Sequence, residues 1–416
     1  NPCWDDGILP GMKLDLIQTV AFAGLALFAG YGLRRAIPLL ARLNVPAPVI
    51  GGLIVSIAVL IARTQGLPLP QFDPTLQKPL MIAFFTSIGF AASVKLLRIG
   101  GPQVAVFLAI GSVFAVLQNV VGAGVAALFG LPPLFGVLAG SVTLTGGPAT
   151  GLAFAPLFEQ AGIEGAAAIA IATAMAGIVI GGLAGGPIAT WLIERYDVHG
   201  PKRRAGPPPP EAIDIQPADP PPHADGDDES AEAYNALKTL VIVLAAMWVG
   251  EWISALISAT GITLPAYIGA MVAAAAIRGI DDYTGWLGLS HRAIDTLGAI
   301  ALSLFLVMAL MTLDLTQLAG LALPLVVILI VQLALVALAC WPVFKLMGRD
   351  YDAAVMGGGF VGFMLGTTAN AMAVMRTLVE RFGSAPRAFL VAPLVGTFFI
   401  DFTNALIITV FLNLFA

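Results

Sequence analysis

Leu144-Thr145-Gly146-Gly147-Pro148-Ala149-Thr150-Gly151 lies in the middle of an apolar run from Pro133 to Phe158. Adjacent glycines and a proline are poorly suited to one helix interior, where proline alone costs ~3 kcal/mol. The surroundings are nevertheless too apolar for a surface loop. A helix broken at membrane depth frees N–H and C=O groups that lipid cannot satisfy. Such a break must be buried in protein or line a cavity. The octapeptide is therefore a binding-site candidate. A second stretch of the same kind, Leu365-Gly366-Thr367-Thr368-Ala369-Asn370, falls within the run Ala353 to Val379.

The chain around these breaks is 58% hydrophobic and 11% charged, with a mean hydropathy of +0.93. Soluble domains carry about 25% charged residues. Several uncharged runs reach the length, about 17 residues or more, that crosses a bilayer as helix. The fold class expected is an all-α polytopic membrane protein. Its 46 glycines and 29 prolines suit close helix packing and helix breaks. The net charge of -5 is local: residues 194–232 hold ten acids and four bases, a net of -6, so the rest is near neutral. No basic patch points to nucleic acid. Cys3 and Cys340 do not suggest a disulfide framework. Met12-Lys13-Leu14 reads as a natural start, with residues 1–11 an extension that lacks the basic and apolar regions of a signal peptide.

Taken in order, residues 1–13 are an outer arm and residues 14–193 hold five spans with a broken segment at 133–158. Residues 194–232 form a linker with nine prolines and an acidic tract, too polar to bury a core. Residues 233–416 hold five more spans with a broken segment at 353–379. If each broken segment is a re-entrant hairpin, an outside N-terminus leaves only Lys13, Arg63 and Lys78 of the 20 Lys/Arg outside. A full crossing at 133–158 would instead export the linker with Arg195, Lys202, Arg203 and Arg204. The positive-inside rule therefore favours hairpins, periplasmic termini and a cytoplasmic linker.

The halves match at an offset of roughly 220 residues, the spacing of Phe85 from Phe305, Gly100 from Gly320 and Gly146 from Gly366. Pro48 with Gly52 likewise matches Pro265 with Gly269. An odd number of spans per half inverts the second copy. The fold expected is thus two inverted repeats of five transmembrane helices plus one re-entrant hairpin each, the sequence mark of a secondary transporter.

The first tip offers Thr145, Gly146, Gly147 and Thr150; the second offers Gly366, Thr367, Thr368 and Asn370. A helix that restarts after a break presents N–H groups and a positive dipole end, which suits a carboxylate. Unwound carbonyls and hydroxyls suit Na⁺. Asp401, flanked by Ile400 and Phe402, should face the interior, because a charge in lipid costs ~2.5–3.5 kcal/mol or more. It is read as a cation ligand or a proton-coupling group, with a structural anchor as the alternative. Asn404 lies one turn on. Gln118 and Asn119 are either substrate and cation contacts or interhelical glue. Glu159, Glu164 and Asp314 fall at outer edges, Glu251 at an interface position, and His199, His223 and His291 in loops. Arg376 is the base nearest the second tip. No zinc spacing, nucleophile elbow, P-loop or dinucleotide fingerprint is present, so no enzyme is expected and no cofactor beyond a coupling ion.

The order of motifs resembles the bacterial glutamate:sodium symporter family from about Met12 onward. The resemblance rests on Val45-Pro46-Ala47-Pro48-Val49-Ile50-Gly51-Gly52, Phe84-Phe85-Thr86-Ser87-Ile88-Gly89, Gln118-Asn119-Val120-Val121-Gly122 and Leu144-Thr145-Gly146-Gly147. In the second half it rests on Leu264-Pro265-Ala266-Tyr267-Ile268-Gly269 and the stretch Val391 to Asp401. It implies Na⁺-coupled uptake of glutamate or a related anion at the inner membrane. It also implies a homodimer with elevator-like movement. The chain departs from the family pattern at Pro148-Ala149, where an imidazole is usual, and at Thr367 to Asn370, where a Thr-Pro-Thr core is usual. The alternative kept is a proton- or Na⁺-coupled carrier of another organic acid.

Overall fold

The computed structural model describes residues 13–92, 94–198, 228–259, 265–318 and 320–415. The first half contains α1 (Leu16–Ala36), α2 (Pro38–Arg42), α3 (Ala47–Thr64), α4 (Gln77–Phe90) and α5 (Val94–Leu128). It continues with α6 (Pro133–Val137), a π-helical turn (Leu138–Val142), α7 (Gly147–Gln160) and α8 (Ala166–Arg195). The second half has α9 (Asp228–Ser258), α10 (Ala266–Thr284), α11 (His291–Met311), α12 (Ala322–Leu346), α13 (Tyr351–Met364) and α14 (Thr368–Phe382). It ends with α15 (Pro386–Leu394), a second π turn (Val395–Phe399) and α16 (Ile400–Phe415). Residues 228–232, expected in the linker, are thus the start of α9; the rest of that linker after Val198 lies outside the described residues.

Among the described residues, seven helices are long and apolar enough to cross a bilayer: α1, α3, α5 from Gly101, α8, α9, α11 and α12. The other expected spans depart from this standard for visible reasons. Helix α4 has 14 residues. Helix α10 carries Arg278, Asp281 and Asp282 in its last turns, and the last span is divided by its π turn. Exposed Leu25, Phe28, Trp248 and Trp252 give α1 and α9 apolar outer faces, as a protein dissolved in lipid requires.

The helices pack as two groups. In one, α3 lies on α1 and α11, α10 lies on α9 and α4, and α4 crosses α11. In the other, α5 packs on α6, α12, α15 and α16, while α8 packs on α7, α13 and α14. A narrower seam joins the groups, where α7 meets α11 and α16 meets α10. Membrane helices associate by packing, hydrogen bonds and small residues, because lipid tails are as apolar as leucine. The α1–α3 pair shows why: a Cβ on Gly51 would overlap the Ala26 carbonyl oxygen. On α9, a Cβ on Gly250 would overlap the Ala270 Cα of α10. The second group's core holds Phe360 between Phe107 and Phe114, with ring centroids 5.8 and 5.3 Å away.

Candidate functional site

The two broken segments end in tips that meet. In the first, the leading arm loses α geometry at Gly140 (φ -100°, ψ -128°), inside the π turn. The Thr143 hydroxyl donates to the Leu138 carbonyl at 2.8 Å, and the Gly146 N–H donates to the Ser141 carbonyl at 2.9 Å. The chain then reverses through Gly147, whose φ of 69° is left-handed and favours glycine. Pro148 follows within the first two positions of α7. A proline there forfeits no helix bond, because the first N–H groups have no intrahelical partner. In the second segment α13 runs regularly to Met364. Thr367 then caps α14, its hydroxyl accepting from the Asn370 N–H at 3.3 Å.

A Cβ on Gly147 would lie 3.6 Å from both the Gly366 carbonyl oxygen and Thr367 Cγ2, so the tips approach through their backbones. Gln118 of α5 holds both from behind. Its Oε1 accepts from Thr145 Oγ1 at 2.6 Å, and its Nε2 donates to the Met364 carbonyl at 2.9 Å. The carbonyl of Gln118 is itself taken by Gln332 Nε2 at 2.7 Å. Thr368 Oγ1 donates to the Gly396 carbonyl at 3.1 Å. Asn370 donates to the Ile178 carbonyl of α8 at 2.6 Å and accepts from Asn44 Nδ2 at 2.8 Å. Thr145 and Thr150 are buried, Thr367 and Thr368 half-buried, and Ala369 exposed. The first tip is thus enclosed, and the second reaches the protein surface at Ala369. Two helix starts with their unspent N–H groups, plus neutral hydroxyls and amides, form a place that favours an anion.

The second cluster lies behind the first tip. Asn119 Oδ1 accepts from the Ser141 N–H at 2.9 Å, and Asn404 Nδ2 donates to the Ser141 carbonyl at 3.0 Å. All three residues are fully buried. Asp401 opens α16 just after the second π turn and is half-buried. It lies within electrostatic range of Tyr267, whose ring stacks on Phe85 with centroids 4.1 Å apart.

The tip and amide residues expected from the sequence lie in these two clusters; Asp401 lies about one turn before Asn404, at the start of α16, the helix that meets α10. Arg376 lies exposed on α14, away from the tip contacts. Glu159, Glu164 and Glu251 are exposed. Asp314 pairs with Arg63 at 2.6 Å, and a Thr316 hydrogen bond, then Arg63, hold its carboxyl below the usual range. His291 is not in a loop: it begins α11 and hydrogen-bonds Arg278, which forms a buried ion pair with Asp282 at 2.9 Å. His199 and His223 lie outside the described residues. Ser141, Asn44 and Gln332 are not singled out by sequence. Gln332 has a signal, as the lone amide in the apolar α12; Asn44, at φ 55° in the turn before α3, has none.

A sequence profile described as "Sodium/glutamate symporter" matches residues 12–384. The Sodium/glutamate symporter of Escherichia coli (strain K12) is 39% identical over 405 residues, covering 96% of this chain and 98% of that protein. The protein of the same name from Haemophilus influenzae is 38% identical over 395 residues, covering 94% and 96%. The matched span takes in both tips, Gln118, Asn119 and the α1–α14 framework that positions them. The chain belongs to the sodium/glutamate symporter family.

Proposed function

We propose that this protein is a secondary active transporter that couples Na⁺ entry to uptake of L-glutamate or a close anionic amino acid. The observation that carries this is the meeting of two broken segments at one locus, where the starts of α7 and α14 converge and Gln118 ties the tips together. A substrate carboxylate would be held by N–H groups at the two helix starts and by the Thr367 hydroxyl, which accepts from the Asn370 N–H and keeps its own proton to donate. The relatives' names supply the substrate and the ion.

The rest of the proposal follows from the packing. The two broken segments would be re-entrant hairpins, opening from opposite sides of an inner membrane, in halves related by inversion. The glycine-tight pairs α1–α3 and α9–α10, and the crossing of α4 with α11, support that relation. The periplasmic termini and cytoplasmic linker rest on the placement of Lys and Arg. The narrow seam supports elevator-type movement of the tip-bearing group against the other. The apolar faces of α1 and α9 are open to lipid and to a second protomer in a homodimer.

The test is uptake of labelled L-glutamate into proteoliposomes. An inward Na⁺ gradient at constant pH should drive accumulation, and dissipating that gradient should abolish it. Uptake indifferent to Na⁺, or driven by a pH step alone, would overturn the coupling assigned here.

A further inference from the structure

We propose that Ser141 is the centre of a sodium site built into the break of the first segment's leading arm, with Ser141 Oγ and Asn404 Oδ1 as ligands. The inference rests on the Na⁺-coupled reading above and places the ion behind the first tip instead of at it. Buried polar atoms without a partner are costly and few in folded proteins. Seven such side-chain atoms occur among the described residues, and three of them belong to this one cluster: Asn119 Nδ2, Ser141 Oγ and Asn404 Oδ1. Two are oxygens, the ligand type a hard alkali cation takes.

The bonds that do form explain why these atoms are left over. Asn119 spends its oxygen on the Ser141 N–H, and Asn404 spends its nitrogen on the Ser141 carbonyl. Two side chains from separate helices thus clamp the backbone of one residue on either side of its side chain. The non-helical Gly140 beside it interrupts the regular bonding of the arm, and unwound carbonyls are what sodium sites in such transporters use. The dipoles agree with this assignment. The α6 arm ends here, presenting its negative end, while α7 starts a few residues later with its positive end. A cation at Ser141 and an anion at the tips would each sit at the helix end that attracts it. Asp401 lies three residues before Asn404 on α16, on the same side of that helix. Asn119 acts as a positioning residue, holding the Ser141 backbone through its side-chain oxygen. The second segment has no equivalent, because α13 is regular throughout.

The experiment is thermal unfolding of the purified full chain in detergent across a Na⁺ titration, with choline keeping ionic strength constant. Wild type should gain stability with Na⁺ by mass action. Because the Ser141 hydroxyl has no partner, Ser141→Ala should unfold at the same or a higher temperature without Na⁺. Its half-saturating Na⁺ concentration should rise about tenfold or more, as when a contact to a charged group is lost. Ser141→Cys, which keeps the shape with a slightly larger atom but offers a poor sodium ligand, should behave alike and reads out the site if the alanine variant does not fold. Wild-type half-saturation in both variants overturns the site. So does equal destabilisation with and without Na⁺, which marks a structural hydroxyl, or a wild type that Na⁺ does not stabilise. Uptake by the wild type, measured separately, decides the symporter reading on its own.

Discussion

Gln118 is the side chain on which the two tips depend, and replacing it gives a quantitative test of how they are joined. Gln118→Leu keeps the approximate shape but removes the acceptor for Thr145 Oγ1 and the donor to the Met364 carbonyl. Each buried group left unsatisfied costs ~1–3 kcal/mol. Thr145 Oγ1 retains a weak second partner in Met364 Sδ at 3.5 Å, so the single variant should lose about 2–4 kcal/mol in all. Thr145→Val strands only the Gln118 Oε1 and should lose ~1–3 kcal/mol. The double variant strands only the Met364 carbonyl and should also lose ~1–3 kcal/mol. The cycle thus predicts a coupling of about 3 kcal/mol, at the upper end of the range for residues in one network. At roughly 2.1 cal/mol/K per residue of unfolding entropy, that is a non-additivity of about 3–4 °C in the unfolding midpoint. Thermal unfolding of the four proteins in one detergent measures it. Additive shifts, with coupling under ~0.5 kcal/mol, would refute the argument that Gln118 carries the link between the tips.

Four further outcomes are expected. Gly177→Ala drives a Cβ into the Leu365 carbonyl oxygen and should cost ~1–3 kcal/mol or more. Gly182→Ala, whose Cβ would sit 3.5 Å from Asn370 Oδ1, should be tolerated in the same thermal assay. Asn44→Gly keeps the left-handed φ of 55° and loses the bond to Asn370, costing ~0.5–1.5 kcal/mol; Asn44→Ala should cost more by adding backbone strain. The folded-state carboxyl of Asp314 titrates below its unfolded value, so its stabilisation is present above ~pH 4 and lost as pH falls through the folded value. Asp314→Asn should therefore flatten the stability profile below ~pH 4 by under ~1 kcal/mol, the pair being solvent-exposed, and leave pH 5–8 unchanged in shape.

The breaks are legible in sequence because glycine and proline side by side in an apolar run cannot continue a helix, and lipid forbids an open loop. Thr145, Gly147 and Thr367 can be named for the same reason, and their neighbours come with them. The partners they meet are not legible. Nothing local indicates that Gln118 reaches a carbonyl 246 residues away, or that Asn44 meets Asn370 across the seam. Ser141 passes for helix packing, as a serine next to glycine in a small-residue stretch. Its meaning comes from two amides brought to it by α5 and α16, which is a property of tertiary structure. His291 misleads the other way: its polar surroundings suggest a loop, but Ser290 caps a helix there, its side chain accepting from the Ala293 N–H at 3.3 Å.

The unequal cover over the two tips has a pharmacological consequence. Thr145 and Thr150 are buried, whereas Thr367 and Thr368 are half-buried and Ala369, at the start of α14, is exposed. If the tips hold the substrate carboxylate as proposed, a blocker would keep a small anionic head for them and carry its bulk on the end that trails past Ala369. Bulk added to the opposite end would collide with the enclosed first tip and abolish binding. Two isomeric derivatives of one amino acid, differing only in which end is extended, would thus divide into an inhibitor and an inert compound.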